Sequence, residues 1–259
     1  RRSGYQFITL EQYLGMDRKT LMPPIEKGKA YYAMRSNLFL AELIYHMSDF
    51  LTALFLVFLG LGTLRLLFMY VLMVREKRAE NRRHYPPIDP ATAPLVSIIV
   101  PAYNEEVNIV RTIKTLKQQD YPNMHIYFVD DGSKDHTLER VREAFGDDRE
   151  VTILSKPNGG KASALNYGVE ACISEYVVCI DADTQLKNDA VRRLMNHFIA
   201  DKEKRVGSVA GNVKVGNQRN LLTYWQAIEY TSSQNFDRMA YSNINAVTVV
   251  PGAIGAFRK

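Results

Sequence analysis

From Leu95 onward, apolar and polar positions alternate between two rhythms. LVSIIVP, MHIYFVD, VTILS and YVVCID are short apolar runs that predict buried strands. EEVNIVRTIKTLKQQ, DHTLERVREAF, KASALNYGVEACI and NDAVRRLMNHFIA separate them and carry apolar residues at helical spacing. RVGSVAGNV predicts a further strand and LLTYWQAIEYTSSQNFDRMA a long helix. Such alternation predicts an α/β fold: a Rossmann-like, mostly parallel sheet with helices on both faces.

Upstream the rhythm changes. Residues 50–74 read FLTALFLVFLGLGTLRLLFMYVLMV, with Arg65 the only charge. At 1.5 Å per residue this run suffices to cross a hydrocarbon core of about 30 Å. It therefore predicts one transmembrane helix ahead of the α/β domain, with 38–49 as its membrane-proximal start. Arg75, Lys77, Arg78, Arg82 and Arg83 follow the run, whereas the twenty residues before it carry only Arg35. The positive-inside rule then places the downstream side in the cytosol. Residues 75–94 form a basic juxtamembrane segment and a Pro-rich linker, HYPPIDPATAP, and 95–259 form the folded domain. Residues 1–37 are polar, broken at Pro23–Pro24, and too few to bury a core of their own, so they read as the tail of a preceding domain.

The net charge of +5 and pI near 9.1 suit an anionic partner. The basic residues cluster beside the apolar run and not on a groove-reading element, so no nucleic-acid partner is expected. Cys172 and Cys179 fit neither a zinc pattern nor a disulfide framework, which points to a reducing compartment.

Open parallel sheets bind ligands beyond the carboxyl ends of their strands. Those ends read VPAYNEE (100–106), VDDGSKDHT (129–137), LSKPNGGKAS (154–163) and DADTQ (181–185). Asp181 and Asp183 form either a polar strand end turning into solvent or a ligand pair for a divalent cation. Asp130, Asp131 and Glu105 share that side, and so much acid needs compensation, for which Lys161 and a metal are the natural candidates. NGGKAS is not a P-loop: position 155 is Ser, and Ala162 follows Lys161. No GxGxxG follows the first strand. What is left is a Gly-rich turn at a helix start, which either attracts phosphate with Lys161 as a point charge or is a plain loop. Asp131 either accepts from a nucleobase imide N–H or holds its own turn. Tyr103 either stacks on a base or packs in the core.

VSIIVPAYNE, VDDGSKD, NGGKASALN and DADT, in this order, resemble the family 2 glycosyltransferases of the GT-A fold. The resemblance is nearest to the membrane-bound processive group that includes chitin-oligosaccharide, poly-N-acetylglucosamine, hyaluronan and cellulose synthases. It implies that Pro101, Tyr103, Glu105, Asp130 and Asp131 hold uridine and that Lys161 contacts the diphosphate. It further implies that Asp181 and Asp183 bind Mg²⁺ or Mn²⁺. PGAIGAFRK (251–259) is similar to the family segment lining the donor-sugar and acceptor pocket. GYQFITLEQYLGMDRKTLMPP resembles the end of a polysaccharide deacetylase domain. That second likeness implies a bifunctional fusion in a bacterial inner (plasma) membrane, deacetylase outside and transferase inside.

The expected reaction is inverting transfer of a sugar from a UDP-sugar donor to a glycan acceptor beside membrane lipid. N-acetylglucosamine is the expected sugar, because a deacetylase neighbour needs an N-acetyl group. The resemblance puts the catalytic base in an ED-type motif, and a QxxRW motif, beyond Lys259, so the chain reads as truncated at both ends and as binding UDP and metal without elongating a glycan. Glu229 and Asp237 lie on the long helix and are poor substitutes for that base. Transfer to a polyprenyl phosphate, or a non-catalytic membrane-tethered nucleotide-sugar binder, remain the alternatives.

Overall fold

The computed structural model describes residues 7–24, 26–216 and 219–259, except the side chains of 233 and 234. Two compact units divide the chain, residues 1–66 and 67–259.

The first unit is helical. Helix α1 (Leu10–Leu14) is capped by Thr9, whose side chain accepts from the Gln12 amide while Gln12 reaches back to the Thr9 amide. Helix α2 (Arg18–Leu21) follows. The long helix α3 (Lys29–Arg82) then begins in this unit and ends in the second. It is apolar and long enough to cross a membrane. Phe55, Leu59, Leu66 and Phe68 are all more than half exposed, a surface that lipid would accept and water would not. Helix α3 starts before the predicted position 38 and continues through REKRAENR, where the sequence suggested a juxtamembrane segment. Those residues are strong helix formers, and Arg83 bonds Glu80 at 2.8 Å one turn back.

The second unit is built on a six-stranded sheet of order β3-β2-β1-β4-β6-β5. Strands β1 (Val96–Ala102), β2 (Met124–Asp130), β3 (Val151–Ser155) and β4 (Tyr176–Ile180) are mutually parallel. Strand β6 (Ile254–Arg258) runs antiparallel between β4 and the short β5 (Ser208–Ala210). The mostly parallel α/β architecture matches the sequence pattern. The hydrophobic pattern does not predict β6, because Gly255 interrupts its apolar run, yet it pairs with β4 along that strand's full length.

Both faces of the sheet are covered. Ile98, Val100, Phe128 and Val178 pack with Ile113, Val141, Met195 and Phe198 from α4 (Ile109–Lys117), α5 (Thr137–Phe145) and α7 (Ala190–Ala200). On the other face Ile99, Val129 and Val177 meet Ala164 and Cys172, at either end of α6 (Lys161–Ala171). Alternating strand positions serve opposite faces, so every position of β1 is buried.

Helix α6 lies close to the sheet at Gly168, where an added Cβ would come within 2.6 Å of Ile99 Cγ2 and 3.2 Å of Val129 Cγ2. Gly168→Val should therefore overpack this face and lower stability by about 1–3 kcal/mol. Urea unfolding monitored by circular dichroism checks this, and an unchanged midpoint would contradict the packing described here.

The long helix expected over 221–240 is present but not uniform. Helix α8 (Leu221–Glu229) passes into a π-helical turn (Tyr230–Asp237) and then α9 (Arg238–Asn243). Ala240 of α9 packs on Met69 and Leu72 of α3.

Candidate nucleotide-sugar site

The chain leaves β1 for β2 and β3 on one side and returns to β4 on the other, so the topological switch falls between β1 and β4. The carboxyl ends of these strands bring the sequence-derived candidates to one rim.

Pro101 is buried in β1, in register with Val129 and beyond the last β1–β4 pair, Ile99 with Cys179. Tyr103 follows β1 and is 42% exposed, so it is not a core residue. Asn104 takes the left-handed conformation at φ 56°. Its amide donates to Ser133 Oγ at 3.0 Å, and its Oδ1 accepts from the Lys134 amide at 2.9 Å. The Glu105 amide donates to Thr137 Oγ1 at 2.8 Å, leaving its carboxylate partly exposed. The loops after β1 and β2 are thereby stitched together, which fixes the rim before any ligand arrives.

Asp130 and Asp131 are both buried but differ in use. Asp130 accepts from the Ser133 amide at 3.2 Å and Ser155 Oγ at 3.2 Å, bracing β2 against β3. Asp131 Oδ1 accepts from Lys156 Nζ at 2.7 Å and the Gly159 amide at 3.0 Å, and its Oδ2 from the Gly160 amide at 2.7 Å. Burial pushes the Asp131 carboxyl up, but the Lys156 hydrogen bond and the two glycine amides outweigh it and hold it below the usual range. Asp131 does not hold its own turn, whose Ser133 amide donates to Asp130; its contacts go to the neighbouring loop, 156–160.

These contacts modify one expectation. The Gly159 and Gly160 amides point at Asp131 and are not the phosphate donors foreseen for the Gly-rich turn. Gly160, at φ +84°, supplies a conformation that other residues rarely adopt, and α6 begins at the next residue. The first-turn amides of α6 are left without these acceptors, at the kind of helix start that suits an anion.

Lys161 Nζ bonds Asp181 Oδ1, and a Cβ on Gly252 would lie 3.2 Å from that ammonium. The loop before β6 thus gives Lys161 room. Thr112 Oγ1 of α4 donates to the Ala182 carbonyl at 2.7 Å and anchors the turn between the two aspartates. Asp183 is exposed and has no side-chain partner among the described residues. Among the described residues no group of three His, Cys, Asp or Glu could hold a metal. Two carboxylates suit Mg²⁺ or Mn²⁺, which take one or two protein oxygens and draw the rest from water and phosphate. Burial and the neighbouring Cys172 raise the Cys179 thiol to about 11, so it is not a nucleophile at neutral pH.

The structure therefore joins Asp131, the Gly159–Gly160 turn, Lys161 and Asp181 in one connected set. A model of the family described as glycosyl transferase family 2 matches residues 97–259, which include every one of these groups. The chain belongs to that family. Poly-beta-1,6-N-acetyl-D-glucosamine synthase of Staphylococcus epidermidis is 32% identical over 165 residues, covering 63% of this chain and 39% of that protein. The Staphylococcus aureus (strain COL) protein of the same name is 29% identical over 164 residues, with the same coverage. The chain thus spans 39% of the length of these curated relatives. Among solved structures, the mannosyltransferase PcManGT from Pyrobaculum calidifontis, in complex with GDP-Man and Mn²⁺, aligns at TM-score 0.55 and 28% identity, over 74% of this chain and 52% of that one. This family 2 domain accordingly has a GT-A-like fold.

Sequence reasoning did not single out Lys156, Thr112 or Gly252. Lys156 lay in a quoted loop, LSKPNGGKAS, and its signal was a second lysine before the glycine pair. Gly252 lay in the quoted segment PGAIGAFRK, whereas Thr112 carried no signal, since its role comes from a contact across the fold.

Proposed function

We propose that residues 95–259 bind a UDP-sugar across the β1–β4 switch point, as the donor-binding part of an enzyme that transfers the sugar, N-acetylglucosamine, with inversion to a growing polysaccharide. The observation that carries this reading is the Lys161–Asp181 pair beside the exposed Asp183, reached by a turn that Asp131 braces. Lys161 faces the diphosphate and offsets its charge. Tyr103, exposed at the end of β1, stacks on the base, while Pro101, Glu105, Asp130 and Asp131 shape the uridine pocket. For Asp130 and Asp131 that shaping is indirect, because their oxygens already hold the surrounding loops.

Asp181 and Asp183 would hold Mg²⁺ or Mn²⁺. Bound there, the metal supplies Lewis-acid stabilisation of the departing diphosphate. The Mn²⁺ in the solved mannosyltransferase complex supports this assignment, and the name of the staphylococcal relatives supports N-acetylglucosamine. No described residue is assigned as the base that deprotonates the acceptor hydroxyl. Residues 1–37 fit the tail of a deacetylase-like domain, and 50–74 a membrane span with the transferase in the cytosol of a bacterial inner membrane.

Titration calorimetry of this chain with UDP-N-acetylglucosamine tests the reading. Binding should appear with Mn²⁺ and weaken at least tenfold with EDTA. Equal affinity in both would remove the metal assignment, and no binding at all would remove the nucleotide-sugar site.

A further inference from the structure

Helix α8 is the part of the second unit that the proposed transfer chemistry does not use. None of its residues is buried. Leu221, Tyr224, Trp225 and Ile228 recur at i, i+3, i+4 and i+7, on one face, and are 75%, 53%, 63% and 59% exposed. Leu222 beside them is 76% exposed. A helix of this composition ordinarily turns such a face into a core, and a continuous exposed apolar face marks an interaction surface.

The attachment of α8 indicates what covers that face. The helical stretch continues through the π-helical turn into α9, where Ala240 is fully buried against Met69 and Leu72, with Met73, Phe236 and Tyr241 packed around them. Asn243 Nδ2 donates to Glu76 Oε2 at 3.3 Å just beyond. Met69 and Leu72 belong to the apolar run 50–74, within about one and a half helical turns of its end. The far end of the stretch is therefore fastened to the membrane-spanning run at its cytosolic margin. Tyr224 and Trp225 have the amphipathic rings favoured where hydrocarbon meets headgroup. Arg219, before α8, and Arg75, Lys77 and Arg78 of α3 are exposed and suit anionic lipid.

We propose that α8 is an interfacial helix whose Leu221, Tyr224, Trp225 and Ile228 face rests in the lipid bilayer that α3 spans. This gives the transferase unit an attachment to the membrane besides the span of α3.

Trp225 is the only tryptophan in the sequence, so its fluorescence reports on this face directly. The chain would be reconstituted into phosphatidylethanolamine–phosphatidylglycerol vesicles, with bromine placed high on the acyl chains in a parallel sample. Blue-shifted emission, quenching by the brominated lipid and at least twofold protection from aqueous acrylamide are expected. Free quenching by acrylamide without any effect of bromine would overturn the proposal. So would protection from both quenchers, which would mean that a protein segment or a second copy covers the face. The double substitution Leu221→Glu, Ile228→Glu should abolish bromolipid quenching, and unchanged quenching would also count against it. The inference rests on α3 spanning the bilayer, read separately by carbonate-resistant flotation of the same vesicles. A chain that does not float refutes both statements, whereas a floating chain with an acrylamide-open Trp225 refutes only the interfacial helix.

Discussion

Asp183→Asn is expected to lower Mn²⁺-dependent UDP-sugar binding, and transfer by the full-length protein, by roughly 10²–10³-fold, the scale seen when one preorganised electrostatic group is removed from a reacting centre. The change is nearly isosteric and falls on an exposed side chain with no partner among the described residues. Little effect on folding is therefore expected, and a loss of function would report on the site itself. Asp181→Asn is a less clean experiment. Asp181 also bonds Lys161, so its loss frees that ammonium and alters the charge at the proposed diphosphate site. Calorimetry with Mn²⁺ and with EDTA separates the two cases. For Asp183→Asn the residual affinity should equal that of the unsubstituted chain in EDTA, because metal is what the substitution removes. If Asp183→Asn keeps full Mn²⁺-dependent affinity, the aspartate pair is a polar strand end and the metal assignment fails.

Asp131→Ala should destabilise the second unit by about 3–5 kcal/mol, because it strands one member of a buried ion pair. The Lys156 ammonium would lose its carboxylate and keep only the Pro157 carbonyl, and the Gly159 and Gly160 amides would lose their acceptor. A fall in Tm of roughly 6–20 °C is expected for a domain of this size. The pH dependence identifies the cause. The Asp131 carboxyl is held below its unfolded value, so its contribution is complete above the ordinary carboxylate range and is lost as pH falls through the folded value. The stability gap between the native chain and Asp131→Ala should therefore be constant near neutrality and close in strong acid. A gap unchanged down to the acid limit would mean that packing, and not the ion pair, is responsible. Asp131→Asn should fall between the two, since an amide oxygen can still accept from a glycine but cannot neutralise Lys156.

Both expectations depend on how carboxylates that look alike in the sequence are placed. In VDDGSKD and DADT the sequence offers both pairs, Asp130/Asp131 and Asp181/Asp183, as groups in direct contact with the donor or its cation. Only the fold separates them. Asp130 and Asp131 arrive buried and are consumed by hydroxyl, ammonium and amide donors, whereas Asp183 stays on the surface. No one-dimensional pattern records which donors will surround a carboxylate, because those donors come from other loops, here 25 to 29 residues away.

The hydrophobic rhythm by itself determined the parallel strands β1 to β4, the helices between them and the apolar run of α3. Each rests on local periodicity: a two-residue repeat or buried run for strands, a 3.6-residue repeat for helices. The order of polar strand ends also determined which loops would form the rim, since parallel strands joined by helices must present their carboxyl ends together. The tertiary structure alone decided the rest. It placed β6 inside the sheet, where Gly255 had hidden a strand, and it joined Lys161 to Asp181 over Gly252. It also turned the glycine amides inward to Asp131 and left the apolar face of α8 uncovered. Periodicity is a property of neighbours along the chain, whereas the strand beside β4, the partner of a charge and the cover over a helix face are set by residues distant in sequence that compete for the same space.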